Sequence, residues 1–143
     1  MIIHISIRSV IDAVMAASAM AATCSEIENP PLLTTDHNAM LDRCARAALR
    51  AVSFELAPFL DDVVLEGEPS DLELAPDFES VLRLPLEGAI EDIVAHRVLH
   101  LFYSTTWPPL AAAHLDMAKD AMERLQESMM RRPGVNFRIA PGV

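Results

Sequence analysis

Ten prolines limit what this 143-residue chain can build, because a proline inside a helix removes a hydrogen bond and clashes with the preceding turn. Pro30-Pro31, Pro58, Pro76, Pro85, Pro108-Pro109 and Pro133 therefore mark where helices stop or restart. The intervals between them draw on 21 alanines and 17 leucines, residues at the top of the helix propensity scale, while aromatic residues make up 5% of the chain. The expected fold class is mainly α, a small helical bundle of about four helices with a C-terminal antiparallel helix pair and a short β-hairpin or extended arm. The length suits a single domain over residues 1–143.

The hydrophobic period changes along the chain. Ile3, Ile5 and Ile7 alternate with His4, Ser6 and Arg8, so residues 1–8 read as a half-buried strand or extended arm. Ser9 followed by Asp12 predicts a helix start, and that helix stops by Asn29-Pro30-Pro31. Thr35 or Asp36 caps the next helix, in which Met40, Leu41, Cys44, Ala47, Ala48, Ala51 and Val52 recur at helical spacing and Arg46 points elsewhere. Residues 61–75 read as a hairpin or turn-rich loop, with Val63-Val64-Leu65 and Leu72-Glu73-Leu74 flanking Glu66-Gly67-Glu68-Pro69-Ser70-Asp71. Residues 86–104 carry the stripe Leu86, Ile90, Ile93, Val94, Val98, Leu101 and Phe102, with Glu87, Glu91 and Asp92 near the positive end of the helix dipole. Trp107-Pro108-Pro109 is a stop and restart with Thr106 as cap. The last helix runs to Arg132 with Leu110, His114, Ala118, Ala121, Met122, Leu125 and Met129 on one face, and residues 133–143 form a C-terminal tail.

Charge is unevenly placed. Between Glu55 and Asp92 stand 12 acidic residues and one basic residue, Arg83, whereas residues 117–143 carry five basic and three acidic ones. A net charge of −10 argues against sequence-specific nucleic-acid binding, which depends on neutralising phosphates. The polarity suits either a solvated acidic face or electrostatic docking between subunits or partners. Residues 10–24 imitate a signal-peptide core and Ala21-Ala22-Thr23-Cys24 a lipoprotein cleavage site, but Asp12 interrupts the run and only Arg8 precedes it. The expectation is no exported leader, no membrane partner and no stretch near the roughly eighteen apolar residues of a span. Cys24 and Cys44 form no CxxC pair and are expected to be buried and reduced.

Candidate chemistry is sparse. Asp92, His96 and His100 lie four residues apart on one predicted helix, a spacing at which two histidines can clasp a metal. Arg97 stands where a zinc-protease helix has its glutamate, so the expected reading is a polar helix edge, with no metal and no cofactor. Ser104, Thr105 and Thr106 follow His100 without a glycine-bounded elbow, and four glycines build no phosphate-cradling loop. Asp61-Asp62 and Glu91-Asp92 are adjacent acids that diverge on a helix and read as surface residues, so no catalytic residue is assigned. Met15, Met20, Met40, Met117, Met122, Met129 and Met130 are expected mostly as core filler, with a subunit contact as the other reading.

The run Leu84-Pro85-Leu86-Glu87-Gly88-Ala89-Ile90-Glu91-Asp92-Ile93-Val94-Ala95-His96-Arg97-Val98-Leu99, then Trp107-Pro108, Ala118, Leu125 and Arg131-Arg132-Pro133, resembles small helical proteins of tailed phages and prophages. These are head-tail connector, adaptor or tail-completion proteins. The likeness is clearest over residues 78–133, and the N-terminal half matches in the order of its elements. The resemblance implies a non-enzymatic structural protein that assembles as a homo-oligomeric ring with portal or tail components. It also implies a place in the host cytoplasm and then in the virion, with the hairpin and termini as arms to adjacent subunits. The competing reading is a cytoplasmic helical interaction module that binds a basic partner through its acidic segment.

Overall fold

Ile3 and Ile5 are buried while Ile2 and His4 face outward, so the N-terminal alternation is a strand, β1 (Ile2–Ile5). The computed structural model describes residues 1–27 and 29–131; the expected tail at 133–143 lies outside them. Residues 1–8 are not a free arm. β1 pairs antiparallel with a later strand, Ser70–Leu74, and that strand pairs on its other side with Leu60–Val64. Numbering these β2 (Leu60–Val64) and β3 (Ser70–Leu74), the sheet order is β1-β3-β2. The hairpin expected over residues 61–75 is thus β2 and β3, and the N-terminus completes the sheet.

Four helices follow the proline punctuation and make the fold mainly helical: α1 (Ile7–Cys24), α2 (Asn38–Glu55), α3 (Arg83–Tyr103) and α4 (Pro108–Met130). α1 starts earlier than Ser9 because Ser6 is the cap, its hydroxyl accepting from Ser9 N–H at 3.1 Å. Thr34, ahead of the expected Thr35 or Asp36, starts the turn into α2, its N–H donating to His37 Nδ1 at 3.0 Å. α3 begins at Arg83, before Leu86, and takes Pro85 into its first turn, where the missing N–H costs nothing.

α1 corrects the expectation about apolar length. It is 18 residues long with a mean hydropathy of 1.3, long and apolar enough to cross a membrane by length and composition. In this fold Ile7, Val10, Val14 and Ser18 form its buried face.

One core gathers the inner sheet face, Ile3, Ile5, Leu72 and Leu74, with Val10 and Val14 of α1, Leu41, Leu49 and Val52 of α2, and Ile90, Ile93 and Val94 of α3. α3 packs against α1, α2, α4 and β1, and accordingly buries Ala95, Val98, Leu99 and Tyr103 as well. Leu101, placed in the stripe from sequence, is instead 53% exposed. The methionines also divide: Met122 and Met129 are buried, while Met20, Met40, Met117 and Met130 are exposed because they fall off the buried stripes of their helices. Cys24 is exposed and Cys44 half-buried, which corrects the expected burial of both; each is a free thiol.

Polar side chains tie the layers together. Glu87 and Glu91 lie beyond the first turn of α3 and reach β1 and the cap of α1, where His4 N–H donates to Glu87 Oε2 at 2.6 Å and Ser6 N–H donates to Glu91 Oε2 at 2.9 Å. Arg46 does not point away: its guanidinium donates to Leu65 O at 2.6 Å and Gly67 O at 2.9 Å and pairs with Asp42, pinning the β2–β3 turn to α2. A side chain at Gly67 would come within 2.9 Å of Pro69 O, so the turn requires glycine there. Ser18 Oγ accepts from Leu33 N–H at 2.9 Å and anchors the α1–α2 connection to the core.

Glu91→Ala leaves the half-buried Ser6 N–H without its acceptor and is expected to lower stability by about 1–2 kcal/mol in urea denaturation. Glu91→Gln, which keeps an oxygen in reach, is expected to lose less; equal midpoints and slopes for all three proteins would remove this bond from the account.

Candidate functional site

α3 and α4 meet through histidines. His96 and His100 lie one helical turn apart on α3, and α4 brings His114 against them, so His96 Nδ1 and His114 Nδ1 stand 2.9 Å apart. At that distance one nitrogen donates and the other accepts, an arrangement that two neutral rings meet by taking opposite tautomers. His100 Nδ1–H donates to Ala111 O at 3.0 Å. The His114 ring lies nearly parallel to Tyr103, at 13° with centroids 6.0 Å apart, and Trp107 meets Tyr103 edge-on. His114 appeared in the sequence only as part of an apolar face. Its position seven residues after Trp107, as His100 is seven before it, is the signal that places the two on facing turns.

Burial lowers the pKa of His96, and Asp92 opposes that. Burial also lowers His114, and His96 and His100 add to the depression. Both rings therefore favour the neutral state, which is compatible with the shared hydrogen bond. The Tyr103 hydroxyl is buried and pushed up by desolvation. The Ser18 hydroxyl, already accepting from Leu33 N–H, opposes that shift, yet no well-formed hydrogen bond reaches the phenol oxygen.

The other sequence candidates do not join this cluster. Asp92 influences His96 through its charge and lines a groove with Arg124. Arg97 pairs with Glu55 at 2.7 Å. Ser104 Oγ donates to Leu101 O at 2.8 Å and Thr106 Oγ1 to Phe102 O at 3.5 Å, so both close the end of α3. Among the described residues no three His, Cys, Asp or Glu side chains are arranged to hold a metal ion. The cluster can exchange a proton between two imidazoles, and His100 also borders a shallow depression with Ala47, Ala51, Leu101 and Leu115.

The acidic segment has two distinct parts. Glu68, Glu87 and Glu91 accept from the backbone N–H groups of Arg8, His4 and Ser6, so part of the surplus caps β1 and the start of α1. Burial raises the Glu91 pKa against its bond from Ser6, and Glu87, Asp92 and Glu68 raise it further, which corrects its reading as a plain surface acid. The remaining acids face outward. The outer sheet face presents Ile2, Glu73 and Asp62 in one cross-strand row and His4, Asp71 and Val64 in the next. His4 pairs with Asp71 at 2.7 Å, whereas Glu73 and Asp62 lie directly opposite each other as like charges. Asp61 is exposed beside them. Carboxylates cover the free edge of β1; the free edge of β2 has no strand partner among the described residues.

Comparison of this chain with family models, with curated proteins and with solved structures finds no match.

The two depressed histidines give a pH dependence of definite sign. Their folded pKa values lie below the ordinary 6.5, so their contribution is present above that value and is lost as pH falls through the folded values. Thermal melts are expected to drop below pH about 6.5, and His114→Phe, which keeps the stack on Tyr103, is expected to flatten that drop. Parallel curves for the two proteins would sink the assignment. Tyr103→Phe removes a buried hydroxyl without a good partner and is expected to leave stability unchanged or raise it by up to about 1 kcal/mol; a clear loss in the same melts would assign the hydroxyl a bond to Ser18.

Proposed function

We propose that this chain is a non-enzymatic structural protein of a phage or prophage virion, a head-tail connector, adaptor or tail-completion protein. It acts by assembling with copies of itself and with portal or tail components, first in the host cytoplasm and then in the particle. The observation that carries this reading is the unequal division of the surface. The outer sheet face is acidic, while apolar side chains stand exposed elsewhere, above all Phe54 at 83% exposure on α2. A solvent-facing phenylalanine with exposed methionines and leucine on the helical side is the composition of a contact surface.

Further support comes from the histidines. His96, His100 and His114 bond to one another or to backbone, as structural groups do. His100 bonds to Ala111 and His96 to His114, and Leu86 and Leu125 line one groove, an order that supports an antiparallel α3–α4 pair, which would serve as a stiff spine in an assembly. A second reading, an interaction module that holds a basic partner, is favoured by the facing Glu73 and Asp62, which a cation would relieve.

Native mass measurement and sedimentation of the full chain over a range of concentrations are expected to show complexes of several copies. Co-expression with tailed-phage portal and tail-completion proteins is expected to yield joint particles. Monomer alone at high concentration, with no joint particle, would count against the virion reading and leave the basic-partner reading to be tested with an arginine-rich peptide.

A further inference from the structure

We infer that the outward face of α2 docks onto the outer sheet face of a second copy of this chain. This rests on the assembly reading above and says which surfaces carry it.

α2 buries Leu41, Ala45, Ala48, Leu49 and Val52 in the core. At helical spacing on its opposite side it exposes Met40, Ala47, Ala51 and Phe54. Those four lie within one narrow stripe of the helix, so α2 is apolar on two sides, and only one side is used inside the molecule. The exposed Leu101 of α3 widens the stripe across a shallow depression shared with Ala47 and Ala51.

Charge selects what covers it. Asp42 and Glu55, the two acids of α2, are already paired with Arg46 and Arg97. Arg43 and Arg50 are exposed at the margin of the stripe, and among the described residues neither pairs with a carboxylate. The stripe is therefore apolar with a positive margin. The outer sheet face is its complement: Ile2 and Val64, 46% and 53% exposed, stand at opposite corners around Asp62 and Glu73. Asp62 and Glu73 face each other across strands, so an arginine from outside would relieve a repulsion already present in the single chain.

The inner sides of α2 and of the sheet line the same core. Their outer sides consequently face away from it in different directions, and one molecule cannot bring them together. The contact is head-to-tail, and repetition gives a closed ring where the rotation closes and a filament where it does not.

Charge reversal tests the pairing on the full chain. Arg43→Glu/Arg50→Glu and Asp62→Lys/Glu73→Lys are each expected to weaken self-association in sedimentation by about tenfold or more, and Phe54→Ala likewise. The chain carrying all four charge reversals is expected to recover most of the loss. All five positions are exposed, and circular dichroism melts check that each variant is folded. If the unmodified chain assembles and the variants assemble equally, or if the fourfold variant fails to recover, these surfaces are wrong while the assembly reading stands. If the unmodified chain is monomeric throughout, both fall.

Discussion

The burial of α3 on several sides is the constraint on which the other elements depend. Ile90, Ile93 and Val94 are fully buried, and the helix meets α1, α2, α4 and β1. Each such side chain removed from water contributes about 1.5–3 kcal/mol, so the central helix holds a large share of the apolar burial. Its polar positions are used as closely. Glu87 and Glu91 cover β1, while His96 and His100 meet α4. A helix that serves four neighbours leaves few positions for solvent, and those few include Leu101.

Carboxylates act here in two ways that net charge does not separate. Those of Glu68, Glu87 and Glu91 accept from main-chain N–H groups at the N-terminus, where an edge strand would otherwise offer unpaired donors. Those of Asp62 and Glu73 stand as like charges on neighbouring strands, Asp62 accepting from the adjacent Val63 N–H at 2.8 Å. The first set stabilises the fold, and the second sets the field outside it. The edge of β1 is thereby closed to strand addition and the edge of β2 is left open, which directs any neighbour to the β2 side or to the faces.

Much of the fold was legible. Prolines bounded the helices, the isoleucine alternation marked β1, and Gly67 with Pro69 marked the turn between β2 and β3. What escaped was pairing at long range. The partner of β1 is β3, some seventy residues on, and periodicity carries no information about which strand a strand joins. Cap positions slipped by a residue or more because Ser6 and Thr34 compete with equally good neighbours, and the winner is set by where the chain must turn. Among the candidate residues, the spacing of His96 and His100 was visible, yet His114 was hidden on another helix, and Arg46 looked like a surface cation until the β2–β3 turn was placed over it.

Alone, the sequence determined the helical class, the number and approximate limits of the helices, and the concentration of acid between Glu55 and Asp92. These are local properties: propensity, chain stiffness at proline and charge count act over a few residues. Tertiary structure decided which acids cap backbone and which face solvent, which apolar stripe of α2 is core and which is left outside, and that two histidines share one proton-bridged contact. The reason is that α2 is apolar on two sides, and only the neighbours that pack against it decide which of them is buried.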